Sequence, residues 1–324
     1  MKISFFMLVI LHSIVDADTM PDLPFYSSAF QDIIHYRINE LHNSEWILSF
    51  EIGYLVFMKI VSFVTSNFNV FLAVSSVIML SSYYNVIRKF SPNIFVSIVL
   101  FLVTIYDQSF FVLRQHLAMS ILVLSWDSII KKEPLKFACL CGLACTMHIS
   151  AIIYIPLYFL YNIREPKKYV MVILVACVVF ASSYFVILEY IGSAVMNNAS
   201  TYLYNTKYDG SNYNEAIMMT MLIASMLYFM RKRVFEDGIN RLLFSFMCIG
   251  LVGSFFGVGN SSTGRLFAYY TTIPYMMVPV VMTYIKNRPT KVVYATGVIA
   301  LYAFVAYFGS QAQNFENMKL VLVP

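Results

Sequence analysis

The sequence predicts an all-α integral membrane protein of roughly 11 transmembrane helices. Three observations predict it. Of the 324 residues, 60% are hydrophobic and only 12% are charged, against about 25% charged in soluble domains. The apolar runs are continuous and recur along the whole length, whereas a membrane β-barrel would show short alternating segments. The positive residues gather in small clusters at the ends of these runs: Arg88-Lys89, Lys131-Lys132 with Lys136, Arg164 with Lys167-Lys168, Arg231-Lys232-Arg233 with Arg241, and Lys286, Arg288 and Lys291. That is the positive-inside pattern. The net charge of +5 therefore reports topology, and no nucleic-acid partner is expected.

Window hydropathy places crossings at about 3–15, 69–87, 93–106, 110–130, 135–147, 149–161, 169–189, 214–230, 240–259, 266–285 and 292–309. The first follows Lys2 and ends at Val15-Asp16-Ala17, like a signal peptide with its cleavage site; it is read as a retained span. The loop after it carries Asp16, Asp18, Asp22, Asp32, Glu40 and Glu45 against Arg37 alone, so it belongs outside. Arg88-Lys89 closes the second span on the inside, and alternation follows from there. The N-terminus is expected inside and the C-terminus outside. The runs 93–106, 135–147 and 149–161 fall short of the ~20 residues of a full span, which implies a locally thin membrane or an aqueous vestibule. The chain reads as one transmembrane domain over 1–324, with outer loops at about 16–68 and 190–213. It has no internal repeat and no low-complexity tract.

Residues 46–64 are apolar enough to span, yet Glu51 and Lys59 interrupt them. A crossing there would move Arg88-Lys89 outside. We expect instead a re-entrant or interfacial helix on the outer face, holding Glu51 near the site. Cys139, Cys141, Cys145, Cys177 and Cys248 lie inside apolar segments, where small thiols pack between helices.

A charge within the membrane is costly and usually faces a cavity and a ligand. Arg114, in Arg114-Gln115-His116, opens one apolar segment. Its planar fork suits phosphate or carboxylate; the competing reading is an arginine snorkelling at a helix end. His148, between two short spans, can accept a proton near neutral pH, or can bridge helices through a hydrogen bond. Arg265 follows Asn260-Ser261-Ser262-Thr263-Gly264, a turn able to present N–H groups and a helix start to an anion; the bland alternative is a loop arginine. On the expected topology all three lie on the outer side. Asp22 and Glu51 are alternative bases. Asp16-Ala17-Asp18 has a spacing that can hold a divalent cation, or it is a solvated acidic loop. No metal site is assigned and no cofactor is expected, with a divalent cation left open. The run Tyr202-Leu203-Tyr204-Asn205-Thr206-Lys207-Tyr208-Asp209 can stack on sugar rings, Tyr204 foremost, or belong to an interfacial aromatic belt.

In this order the elements resemble the EpsG/Wzy-like family of bacterial exopolysaccharide and O-antigen polymerases. Asp22-Leu23-Pro24-Phe25-Tyr26 with Glu51-Ile52-Gly53-Tyr54 is similar to the family's outer-loop D-x-x-x-Y and its E-x-G-aromatic helix start. Arg114-Gln115-His116-Leu117-Ala118, then Lys131-Lys132, then His148-Ile149-Ser150-Ala151 resembles the R-Q-x-x-A, K-K and H-x-S-A block, the most specific of the matches. Arg265-Leu266-Phe267-Ala268-Tyr269 resembles the late R-x-x-x-Y element. The chain departs from the family in carrying Asp18-Thr19-Met20-Pro21 where an arginine and a glycine usually precede the aspartate. It also stops at Pro324 where a Pro-Tyr pair is common.

The resemblance implies a bundle of GT-C type by analogy in the bacterial cytoplasmic (inner) membrane. It implies joining of undecaprenyl-diphosphate-linked oligosaccharide repeat units on the periplasmic or outer face, with release of undecaprenyl diphosphate. Arg114 and Arg265 would bind the diphosphate, His148 would be the base, and Glu51 or Asp22 would orient the sugar or replace His148 as base. Gln115, Tyr26 and Tyr269 would be weak glycan contacts. Membrane lipid and a chain-length regulator are the further partners expected. Two rivals remain at the level of sequence. A lipid-linked oligosaccharide flippase would place its polar groups at the midplane and often carries repeats. A membrane acyltransferase would draw acyl-CoA from the inner face, where the loops here are short.

Overall fold

Helices form where the apolar runs stand. The architecture comes from a computed structural model that describes residues 2–110, 112–165, 168–169, 171–173, 213–256, 261–308 and 318–320. The chain is an all-α membrane protein. Among the described residues, four helices are long and apolar enough to cross a membrane: Phe68–Phe90, Gly238–Phe256, Gly264–Tyr284 and Arg288–Phe308. Shorter apolar helices cover Ile52–Ser62, Ile94–Tyr106, Pro134–Met147 and Ile149–Asn162. The runs expected to be short are short helices. The crossings at 169–189 and the loop at 190–213 lie largely or wholly outside the described residues, Cys177 and Tyr204 with them.

The described chain packs as two compact units. The first holds residues 1–89, 101–152 and 302–324. Its helices are α1 (Lys2–Ser13), α2 (Leu23–Ile33), α3 (Ile52–Ser62) and α4 (Phe68–Phe90). α6 (Leu113–Val123), α7 (Trp126–Ile130) and α8 (Pro134–Met147) complete it. α5 (Ile94–Phe101) lies almost wholly in the second unit and runs on into a π-helical turn, Leu102–Tyr106.

The span expected at 110–130 is broken. Leu124 and Ser125 donate back three residues, to Ile121 and Leu122, which tightens the last turn of α6. The Ser125 hydroxyl takes the Leu122 carbonyl at 2.6 Å, and α7 starts afresh.

α2 was not foreseen inside the acidic first loop. Its entry residue is Asp22 and Pro24 stands in its first turn, where a missing N–H costs nothing. Leu23, Tyr26, Phe30 and Ile33 are buried, an amphipathic stripe. Phe30 stacks on Phe71 of α4 with centroids 5.0 Å apart.

Lys59, which interrupts the apolar run of α3, is buried. Its Nζ donates to the Ile34 carbonyl at 2.9 Å, at the C-terminal end of α2. A lysine there satisfies an otherwise unpaired carbonyl and suits the negative end of the helix dipole. α3 has 11 residues, about 16 Å of helix, roughly half of the ~30 Å hydrocarbon core.

The second unit holds residues 90–100 and 153–301. Its further helices are α9 (Ile155–Asn162), α10 (Tyr213–Met230), α11 (Gly238–Phe256), α12 (Ser261–Thr271), α13 (Pro274–Tyr284) and α14 (Arg288–Phe308), whose last turns belong to the first unit. α12 and α13 together make up the apolar stretch Gly264–Tyr284, which matches the crossing expected at 266–285 and has a turn at Thr272-Ile273, where Pro274 begins the next helix. Gly253 of α11 allows a close approach of Phe267 of α12, whose ring occupies the space of any added Cβ. The Tyr270 hydroxyl donates to the Ile153 carbonyl at 2.6 Å, and its ring stacks on Tyr154.

Candidate functional site

Three helix ends meet in the first unit, and each brings one of the residues singled out in the sequence. Glu51 is the N-cap position of α3, with an extended ψ of 144°. Arg114 stands in the first turn of α6. His148 terminates α8: its backbone turns to φ −157° and ψ 118°, which swings the ring off the helix. A short 3-10 helix, Ile149–Tyr154, begins directly after it.

Glu51 joins them. Its Oε1 faces His148 Nδ1 at 2.8 Å and accepts the Ile149 backbone N–H at 2.9 Å. The carboxylate thus caps the next helix, whose first N–H groups lack internal partners. Its Oε2 accepts from Arg114 Nη1 at 2.7 Å. The same Nη1 donates to the Ser49 carbonyl at 2.9 Å. The guanidinium lies over Phe50, 4.7 Å from the centroid, and at 5.9 Å from the Tyr26 ring. The Tyr26 hydroxyl also hydrogen-bonds Arg114.

Glycine makes this approach possible. A Cβ on Gly53 would run into the Thr146 side chain and sit 2.7 Å from the Thr146 carbonyl oxygen. α3 and α8 therefore cross with almost no gap, two residues from both Glu51 and His148.

The three side chains are mostly withdrawn from solvent: relative exposure is 15% for Arg114, 17% for Glu51 and 24% for His148. Burial is the largest influence on the Glu51 carboxyl and works against its charge. The His148 hydrogen bond, the Arg114 charge and the Ile149 N–H oppose it, and together they bring the carboxyl down from 4.5 to about 2. Glu51 is a carboxylate throughout the physiological range, so it accepts and does not donate. Facing it, Nδ1 of a neutral His148 must carry the ring proton, and Nε2 is left with the lone pair. Burial raises the Tyr26 phenol against the pull of Arg114, so Tyr26 serves as a neutral hydroxyl.

The remaining sequence candidates distribute as follows. Asp22 is one turn before Tyr26, whose N–H donates to the Asp22 carbonyl at 3.3 Å, and its charge acts on the Tyr26 phenol. Gln115 is buried beside Arg114. His116 is buried too, with Nδ1 on the carbonyl of Val112 at 2.9 Å. Arg265 is exposed on α12 in the second unit, and Tyr269 of the same helix is buried. Asp16 caps a 3-10 turn by accepting the Asp18 N–H at 3.1 Å. Among the described residues no three His, Cys, Asp or Glu side chains converge as metal ligands.

Sequence reasoning missed Phe50, which supplies the aromatic face for Arg114, and the backbone groups of Ser49 and Ile149. Phe50 has a weak signal, an aromatic residue directly before the glutamate. Backbone groups have none, because every residue carries a carbonyl and every residue but proline an N–H.

Residues 1–321 match the model of one protein family. The chain belongs to the EpsG family. The family is one of polysaccharide-polymerase-like membrane proteins, and the match covers all of the residues assembled above. No curated protein and no solved structure matches the chain.

Proposed function

We propose that this EpsG-family chain is a membrane glycosyltransferase that joins lipid-linked oligosaccharide repeat units, working on the outer face of the bacterial cytoplasmic membrane. The observation that carries the reading is the Glu51–His148 pair at 2.8 Å. It orients an imidazole whose other nitrogen is a base, as a polymerase needs and a passive carrier does not.

In the proposed reaction an acceptor sugar hydroxyl attacks the anomeric carbon of the donor unit. A new glycosidic C–O bond forms and the bond from that carbon to the diphosphate oxygen breaks. The hydroxyl proton passes to His148 Nε2. Undecaprenyl diphosphate leaves with the electron pair. Glu51 stays ionised and stabilises the imidazolium that forms, the role of a buried carboxylate behind a catalytic histidine. Arg114 neutralises Glu51 in the resting state and holds its carboxylate in place. Its charge, with that of the newly formed imidazolium, then favours negative charge building on the diphosphate. Arg265, on α12, is proposed as a cation for a substrate phosphate group. Asp22 and Tyr26 are proposed to contact the glycan.

The test is polymerisation of the native lipid-linked repeat unit by purified full-length protein in lipid. Wild type is expected to build a ladder of longer glycans. His148→Gln, inserted and folded to the same level, is expected to lose about 10²–10⁴-fold in rate. Wild type that lengthens no glycan but moves the lipid-linked unit across a liposome bilayer would replace this reading with the flippase.

A further inference from the structure

The strongest feature outside the Glu51 cluster is a cleft on the first unit. It has a volume of about 250 Å³ and is lined by Asp32, His35, Tyr36, Glu45 and Trp46. It lies between the C-terminal end of α2 and the 3-10 turn Glu45–Leu48. We propose that it is a saccharide-binding subsite for the glycan portion of the substrate, taking one sugar ring that bears no negative charge. The inference rests on the polymerase reading for the identity of the glycan.

Trp46 is the floor on which this depends. It is half-buried and held from three directions. Its Nε1–H donates to Asp32 Oδ2 at 2.9 Å. The ring packs edge-on against Phe25 at 5.0 Å and stacks on Phe50 at 5.7 Å with planes 25° apart. An indole fixed in this way offers a flat apolar face at little entropic cost, because its rotamer is already set.

Around that face stand groups that suit hydroxyls. Asp32 has spent one oxygen on the indole and keeps the other. The side chains of His35, Tyr36 and Glu45 have no hydrogen-bond partner among the described residues. Carboxylates accept from sugar hydroxyls, while phenol and imidazole both donate and accept. A convergent set of such groups beside one aromatic face is how a concave site fixes a small polar ligand. The volume, below the roughly 300–1,000 Å³ typical of drug-sized ligands, suits a single ring.

A metal ion fits less well: no three of the described His, Cys, Asp or Glu side chains converge closely enough to share one. Two carboxylates in the wall repel an acidic sugar and accommodate a neutral or amino-bearing one. The subsite also connects to the chemistry. Phe50, on which Trp46 stacks, is the ring under the Arg114 guanidinium at 4.7 Å, and the Phe50 N–H donates to the Trp46 carbonyl at 2.8 Å. A glycan seated on Trp46 is therefore registered against the same backbone turn that carries Glu51.

The experiment measures binding separately from catalysis, by calorimetry on full-length protein in lipid nanodiscs. The probe is the repeat-unit oligosaccharide freed from its lipid diphosphate by mild acid. Wild type and Arg241→Met are expected to bind it equally. Trp46→Ala and Glu45→Gln are each expected to weaken binding about tenfold or more. Glu45 is exposed, so its variant tests the cleft without disturbing the core. An oligogalacturonate control is expected to bind wild type at least about tenfold more weakly than the probe. Absence of probe binding to wild type, or unchanged binding in both cleft variants, overturns the subsite. Equal binding of the oligogalacturonate overturns its charge selection. Failure of the polymerase reading shows elsewhere, as His148→Gln polymerising like wild type, and leaves the cleft to be judged by binding.

Discussion

Each unit of the molecule holds an arginine largely withdrawn from solvent on an aromatic ring. In the first, Arg114 lies 4.7 Å from the Phe50 centroid and donates to the Ser49 carbonyl at 2.9 Å. In the second, Arg241 lies 4.5 Å from the Tyr161 centroid and reaches the Phe235 carbonyl at 3.4 Å. Both leave a buried Nε without an acceptor among the described residues. Ring, carbonyl and unpaired Nε are thus common to both and say nothing about chemistry. The difference is a carboxylate. Arg114 meets Glu51, and Glu51 passes on to His148; Arg241 forms no ion pair among the described residues. An arginine withdrawn from solvent becomes a functional candidate when its counter-ion organises a titratable partner. Burial alone does not make it one.

After His148→Gln, the largest effect on this contrast is expected from Glu51→Gln. The amide keeps the volume but not the charge, and it can offer an N–H where the carboxylate only accepts. Polymerisation is expected to fall by roughly 10² or more through loss of the correct tautomer. Gly53→Ala comes next. Its methyl group must displace Thr146 and its carbonyl, so α3 and α8 part and Glu51 withdraws from His148. We expect about 1–3 kcal/mol of destabilisation together with reduced turnover, read as a lower melting temperature and a slower ladder.

Arg241→Met should behave in the opposite manner. It removes a buried charge that has no carboxylate to leave behind, so the melting temperature is expected to move by no more than about 2 kcal/mol equivalent. Turnover per folded molecule should be unchanged. A loss of turnover as large as that of Glu51→Gln would erase the distinction between the two arginines. The smallest effect is on pH. The Glu51 carboxyl is held at about 2 against its ordinary 4.5, so its contribution to stability is complete above pH 4.5. It drains as pH falls toward 2 and is absent below that. Wild type is expected to lose melting temperature across this window faster than Glu51→Gln does.

The helices were legible in the sequence because long apolar runs and basic clusters are properties of composition. The breaks within them were less so. Ser125 ends α6 through three-residue backbone bonds that ordinary hydropathy does not register, and α2 hides in an acidic loop because its buried stripe is only five residues long. For the site, Glu51, Arg114 and His148 could be named from residue type and resemblance, but not their partnership. They are separated by 63 and 97 positions from Glu51; the close crossing at Gly53 and Thr146 brings Glu51 to His148, and the packing of α6 on α8 brings Arg114. Lys59 shows the reverse case. Its charge in an apolar run invites a functional reading, and in the fold it closes the end of α2.

The account stands on one proton. If Glu51 orients His148, then in the neutral ring Nδ1 carries that proton and Nε2 is bare. Imidazole ¹⁵N shifts of His148, assigned by comparison with His148→Gln in labelled protein in lipid at neutral pH, read this directly. The account predicts a protonated Nδ1 and an unprotonated Nε2 in wild type, with that preference lost in Glu51→Gln. A proton resting on Nε2 in wild type would contradict it, since the nitrogen assigned to receive the acceptor's proton would already hold one.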